Sequence, residues 1–232
     1  MAEVAKARVI SVDQHGDDIR KYILQVDELN SFEAGQFLQL TLEDFNGSGN
    51  WPESRAFSIA SYLNNDNALT LVIKKVGPYT TRIFSELSVN SYCTIKYPYG
   101  EFMLPMFDDE TPIHCIAGGT GISPFLSFIG QLQSQNNTNR MFLHYSSKKE
   151  CDFVNLDLIF NSLPSSNVRL YCTKEESKQM THRRITIKDV IANVRDIEEE
   201  YFYICGSTEL ITFMNKELMN LGAKNIVFEE WT

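Results

Sequence analysis

The feature that most narrows the fold is a change of hydrophobic period part-way along the chain. Up to Met106 the apolar residues fall in short, strand-length runs at 8–12, 22–26, 37–42, 57–61, 69–74 and 92–97. Turn signals separate them: Gly16-Asp17, Ala34-Gly35, Gly47-Ser48-Gly49-Asn50 and Asn64-Asn65-Asp66-Asn67. Short strands at this spacing predict a small antiparallel barrel. One helix interrupts it at about 81–87, where Ile83, Phe84 and Leu87 share a face. Beyond the acidic stretch Phe107-Asp108-Asp109-Glu110-Thr111-Pro112 the period changes. Strands at 113–117, 141–145, 168–172, 201–205 and 225–228 now alternate with helices. The first helix has Phe125, Phe128, Ile129 and Leu132 at i, i+3, i+4 and i+7. Others are expected near 156–163 and 187–194, and the last carries Leu210, Ile211, Phe213, Met214, Leu218 and Leu221 and stops at Gly222. Alternation of this kind means βαβ units and a parallel sheet. The expected architecture is a β-barrel over 1–106 followed by an α/β domain over 112–232.

Charge and cysteine usage exclude several functions. A net charge of −9 argues against a nucleic-acid partner, which requires a basic surface. No apolar run approaches the roughly 20 residues of a membrane span. Residues 1–10 lack the apolar core of a signal peptide, so a soluble, cytoplasmic protein is expected. The cysteines are Cys93, Cys115, Cys151, Cys172 and Cys205, with no C-x-x-C pair and no iron–sulfur spacing. No metal site is expected, and any iron–sulfur centre is expected on a separate chain.

The segment Ala117-Gly118-Gly119-Thr120-Gly121-Ile122-Ser123-Pro124 follows an apolar strand and opens a helix. Glycines there allow close approach of backbone N–H groups to an anion, and the helix N-terminus favours phosphate. Pro124 suits the first helical turn. The segment departs from the dinucleotide fingerprint G-x-G-x-x-G, because Pro124 holds the third glycine position and Tyr145-Ser146 stand where an acidic ribose ligand would be. It reads as a nucleotide-binding turn of another kind.

Taken together with this turn, other segments resemble the ferredoxin–NADP reductase family over nearly the whole chain. Arg55-Ala56-Phe57-Ser58 resembles the family's flavin signature R-x-[YF]-S. Gly77-Pro78-Tyr79-Thr80-Thr81 is similar to its pyrophosphate segment, and Gly100-Glu101-Phe102 to the turn closing the barrel. Gly118 to Pro124 is similar to G-G-[TV]-G-[IV]-[ST]-P, Cys205-Gly206 to a C-G pair, and Ala34-Gly35-Gln36-Phe37 to P-G-Q-[FY]. The resemblance implies FAD on the barrel and NADPH or NADH on the α/β domain. It implies flavin contacts from Arg55, Ala56, Phe57 and Ser58, from Val72, Ile73 and Lys74, and from Gly77, Tyr79, Thr80 and Thr81. Nucleotide contacts are implied for Gly119, Thr120, Gly121, Ile122, Cys205 and Gly206.

The residue chemistry fits. Arg55 offers a directional fork to a phosphate or flavin carbonyl, Phe57 a flat apolar face, and Ser58 a hydrogen-bond donor near flavin N5. Cys205 ends an apolar strand, where ligands bind in open α/β sheets, and in the family it packs on the nicotinamide. The chain closes on Phe228-Glu229-Glu230-Trp231-Thr232. By resemblance Trp231 covers the flavin, and Glu229 or Glu230 lies beside the nicotinamide. Ser58, Cys205, Glu229 and Trp231 are the expected catalytic set. Thr173 and Lys174, helped by Arg183 or Arg184, could hold a 2′-phosphate against opposing Glu175 and Glu176, which tilts the expectation toward NADPH. The implied function is electron transfer from NAD(P)H through FAD to a separate acceptor such as a ferredoxin, a flavodoxin or an oxygenase component. A reductase that releases flavin as product and a non-catalytic nucleotide-sensing subunit are the alternatives.

Overall fold

A computed structural model describes residues 2–63, 66–108 and 110–230. The first half is a six-stranded antiparallel sheet in the order β4-β3-β6-β1-β2-β5. Its strands are β1 (Glu3–His15), β2 (Ile19–Val26), β3 (Phe37–Thr41), β4 (Arg55–Ser58), β5 (Ala68–Lys74) and β6 (Tyr92–Tyr99). Just past β4, Ala60 N donates to Thr70 O of β5 at 2.8 Å, so the sheet curls until its two edges nearly meet. Tyr22, Leu24, Leu38, Leu40, Leu71 and Ile95 fill the interior. The helix α1 (Pro78–Glu86) plugs one end through Tyr79 and Ile83. Strand β1 is far longer than the run at 8–12. Its exposed residues Val4, Lys6 and Arg8 break the apolar signal, but pairing with β2 on one side and β6 on the other holds them extended.

The second half is a five-stranded parallel sheet, β11-β10-β7-β8-β9. It comprises β7 (Ile113–Gly118), β8 (Met141–Ser147), β9 (Val168–Cys172), β10 (Tyr201–Cys205) and β11 (Asn225–Glu229). The helices are α2 (Ser123–Ser134), α3 (Leu156–Ser162), α4 (Ile187–Ile191) and α5 (Thr208–Asn220). Both faces are covered, which suits the near-continuous apolar strands of a parallel sheet. Cys115, Leu143 and Tyr203 share a cluster with α2, while Ile116, Phe202 and Ile204 share another with Ile211, Met214 and Leu218 of α5. Helix α4 stops at Ile191, short of the expected 194, and Gly222 ends the last helical stretch at φ +93° as expected. Among the described residues no helix is long and apolar enough to cross a membrane.

Phe102, just past the barrel, joins the two halves. Its ring lies against Phe125, Phe128 and Tyr203 at 5.3–5.8 Å between centroids. Gly35 reaches the same junction, donating its N–H to Ser127 Oγ at 2.8 Å. A Cβ at Gly35 would stand 1.8 Å from the Phe102 carbonyl oxygen.

Two histidines sit inside the parallel sheet. His114 is sandwiched between Phe142 and Phe202, and its Nε2 donates to Glu200 Oε2 at 2.6 Å. Burial lowers its pKa against the pull of Glu200. Burial, aided by His114, brings His144 down to about 4. Both are therefore neutral when folded, and the unfolded chain takes up their protons first as pH falls. Their contribution is complete above about pH 6.5 and is lost on acidification. Urea unfolding at about pH 7.5 and about pH 5.5 should differ by about 1 kcal/mol on account of His144, and His144→Asn should remove that part of the difference.

Candidate functional site

The site assembles where the carboxyl ends of β7, β10 and β11 face the outer surface of β3, β4 and β6. Ser58 closes β4, and its Oγ donates to Glu229 Oε2 of β11 at 3.3 Å. This hydrogen bond spans the two halves of the chain. Burial pushes the Glu229 carboxyl up to about 7, with the Ser58 hydrogen bond pulling the other way. A group that titrates near neutrality and shares a proton with a hydroxyl is suited to acid–base work. Glu230 faces away, accepting from Thr208 Oγ1 at 2.5 Å. Of the two terminal carboxylates, Glu229 is therefore the one brought to Ser58. Trp231 lies outside the described residues.

Phe37 and Tyr99 stack at 5.5 Å beside this pair. Phe37 is the register partner of both Ser58 and Tyr99, so the three share one face of adjacent strands. Gly100 lies against the Phe37 ring, and a Cβ there would be 3.8 Å from Glu229 Oε1. Sequence reasoning treated Phe37 and Gly100 only as parts of fold motifs. The register that makes Phe37 a wall of the site is invisible without strand pairing.

Toward α1 the surface is open and carries an arginine. The Arg55 guanidinium lies 4.6 Å from the Tyr79 ring centroid, pairs with Glu53 at 3.0 Å and is half exposed. Gly77 precedes the first turn of α1 in extended conformation, with nothing within 4 Å of a Cβ placed on it. A helix start with open backbone beside an arginine is chemistry that fits a pyrophosphate. Thr80 Oγ1 accepts from Val76 N and Gly77 N at 2.9 and 3.1 Å, and Thr81 Oγ1 donates to Gly77 O at 2.9 Å. Both hydroxyls thus shape the turn. Phe57 is half-buried against the barrel core and Ala56 is half-buried beside it.

Three residues expected at the flavin have their side chains turned inward. Tyr79 is 3% exposed, and its Oη donates to Glu53 O while accepting from Leu42 N, so it anchors the approach to β4 from inside. Ile73 faces the barrel core, and Val72 belongs to the cluster beneath the glycine turn. Neither side chain offers surface to a ligand. Lys74 is half-buried and pairs with Asp18 at 3.4 Å.

The glycine turn divides its labour. Gly119 has φ +57° and open space around it, and with Thr120 it forms the accessible rim. Gly121 serves packing: a Cβ there would be 2.2 Å from the Cys205 carbonyl oxygen. Gly118 and Gly206 likewise touch backbone to backbone, with a Cβ on Gly206 3.1 Å from Gly118 Cα. Ile122 is buried beneath the turn. Cys205 is 0% exposed at the carboxyl end of β10, directly behind Gly121. At the far edge, Thr173 N donates to Ser147 O and Lys174 N to Lys148 O, both at 2.9 Å, leaving the Lys174 side chain exposed. Arg183 binds Asp189 through two 2.6 Å hydrogen bonds, whereas Arg184 is exposed.

Two family models match the chain, the oxidoreductase FAD-binding domain over residues 6–104 and the oxidoreductase NAD-binding domain over residues 115–216. The chain joins an oxidoreductase FAD-binding domain to an oxidoreductase NAD-binding domain. Among curated relatives, the phenol hydroxylase P5 protein of Acinetobacter pittii is 30% identical over 66% of this chain and 42% of its own length. The cytochrome P450 reductase GcoB of Amycolatopsis superposes with a TM-score of 0.85 at 21% identity, covering 99% of this chain and 70% of that one. A ferredoxin NADP+ reductase of Neisseria gonorrhoeae, solved with FAD and NADP, gives 0.81 at 19% identity with 99% of both chains covered. These structural likenesses establish the shared two-domain fold. The chain spans between 42% and 66% of the length of the curated relatives it first matches.

Proposed function

We propose that this protein takes hydride from a nicotinamide nucleotide onto FAD and passes the electrons to a separate acceptor, a ferredoxin-like or oxygenase component. The observation that carries this reading is the Ser58–Glu229 hydrogen bond at the junction of the FAD- and NAD-binding halves. Reductase components of oxygenase systems among the relatives support the choice of acceptor. FAD, when bound, supplies a hydride-accepting N5 and the capacity to release electrons singly. Ser58 presents its hydroxyl at the junction, and Glu229 holds or yields a proton through it. Phe37 and Tyr99 wall the pair from water on one side, strengthening its electrostatics. Arg55 and the first turn of α1 would grip the pyrophosphate, and Gly119 and Thr120 the phosphates of the nucleotide.

The pairing of Arg183 with Asp189 bears on which nucleotide is used. A 2′-phosphate would find Lys174 and Arg184 but not Arg183, whose fork is occupied and which holds Asp189 well below the usual carboxylate range. We therefore read NADH, rather than the NADPH favoured by sequence, as the better donor. Asp189→Asn, which keeps a side-chain cap on α4, should raise kcat/KM for NADPH about fivefold while changing that for NADH little. Steady-state rates with both nucleotides check this, and an unchanged ratio would remove Arg183 from the question. The reading as a whole is tested by anaerobic spectra of the purified protein. A bound flavin that bleaches on adding NADH supports it. A protein that loses flavin on gel filtration would be a flavin-releasing reductase, and one whose flavin ignores both nucleotides would be a sensor.

A further inference from the structure

The β1–β2 hairpin does more than close two strands. Its tip leaves the barrel and seats on residues 149–155 of the α/β half. His15 Nδ1 donates to Phe153 O at 3.0 Å, and Lys21 Nζ donates to Asn155 Oδ1 at 3.1 Å. Between them Gly16, at φ +57°, presses so closely on Asp152 that a Cβ would stand 2.1 Å from its Oδ1. Ile19, 1% exposed, belongs to the same buried cluster as Ile122, Tyr145, Phe153 and Val154. Lys149 also pairs with Asp17 at 3.0 Å, but both are solvated and that pair adds little.

The seated segment is itself tied to the edge of the nucleotide site. Glu150 N donates to Glu175 Oε2 at 3.1 Å, and immediately before the segment Cys172 Sγ donates to Lys148 O at 3.3 Å. With the backbone bonds from Thr173 to Ser147 and Lys174 to Lys148, the loop after β9 is held by the end of β8 and, through Glu150, by the segment on which the hairpin sits. Phe153 and Val154 are in turn anchored on Tyr145, by ring contact at 4.7 Å and by Val154 N donating to its Oη at 3.2 Å.

We propose that this hairpin is a strap by which the barrel fixes the loop receiving the adenosine end of the nucleotide, making His15 and Lys21 positioning residues for nucleotide affinity. The inference rests on the nucleotide reading above. Neither residue reaches the Ser58–Glu229 pair, so releasing the strap should cost binding and spare chemistry. It should also spare a donor that has no adenosine.

The test uses the FAD-loaded protein and its His15→Ala/Lys21→Ala variant. Calorimetry with ADP-ribose should show about fivefold weaker binding in the variant, with KM for NADH rising by a similar factor and kcat unchanged. Reduced nicotinamide mononucleotide, which lacks the adenosine, should keep its kcat/KM within about twofold. His15→Gln, whose amide can still donate toward Phe153 O, should retain most of the parent affinity for ADP-ribose, whereas Lys21→Ala alone should lose about twofold, which keeps the test decisive if the double variant does not fold. Equal ADP-ribose affinity in parent and folded variant would overturn the strap. So would an equal loss with both donors, which would mark a purely structural role. A parent that binds no ADP-ribose would overturn the nucleotide reading and the strap with it, a failure distinct from the first because there the parent binds.

Discussion

Replacing Ser58 with alanine should slow flavin reduction by the nucleotide about a hundredfold, while the nucleotide Kd changes by no more than about twofold. The hydroxyl joins Glu229 to the barrel surface at 3.3 Å, and its removal leaves a half-buried carboxyl without that partner. Stopped-flow absorbance under anaerobic conditions reads the step directly, and equal rates in parent and variant would take Ser58 out of the mechanism. Glu229→Gln should act in the same direction and also abolish a titration of the rate centred near pH 7, where burial places this carboxyl. Its stability effect has the opposite sense to that of the histidines. A carboxyl whose folded pKa is raised favours the fold below its unfolded value, and that support disappears as pH rises through about 7. Glu229→Gln should therefore unfold at higher urea than the parent above about pH 8, by up to about 2 kcal/mol. A variant that is slower yet more stable at alkaline pH is what a carboxylate held for chemistry predicts.

Gly35→Ala should be the most destabilising small substitution in the chain, costing about 3 kcal/mol or more. Two effects add at this position. The backbone sits at φ +93°, which an L side chain rarely adopts, and the new methyl would lie 1.8 Å from Phe102 O and 2.7 Å from the Phe128 ring. Backbone on one side and a packed ring on the other leave little room to yield. The expected fall in melting temperature is about 6 °C or more. Gly47→Ala is the control, since it shares the positive φ (+85°) but has nothing within 4 Å, so that its cost isolates the backbone effect. Similar losses in the two variants would show that the junction relaxes around the added methyl.

The architecture was legible because each half keeps one hydrophobic period throughout. The barrel strands alternate, the parallel strands are apolar on both faces, and the change of period at 107–112 separates them. What escaped was anything decided by pairing across the chain. The sequence left Glu229 and Glu230 equivalent, and only the register of β11 beside β10 turns one toward Ser58 and the other toward Thr208. Tyr79 stands inside a flavin-type motif, yet the helix carrying it plugs the barrel, a placement that no local pattern signals. Gly121 was read as an anion-binding glycine, and the approach of β7 to β10 makes it a spacer between backbones as well. Arg183 looked available because its partner, Asp189, holds it through a loop whose course no periodicity signals.

The placement of Phe102 also has a consequence for how the chain is made. Phe102 follows the barrel's last strand by three residues but, among the described residues, finds its aromatic neighbours in α2 and β10, up to Tyr203. Domains emerge and fold in order during synthesis, N-terminal first. A finished barrel must then wait with this ring uncovered until about a hundred further residues have been added, several seconds at ordinary elongation rates. Over that interval the nascent chain carries a sticky aromatic knob that a chaperone, or a neighbouring ribosome's product, can reach before its own partner does.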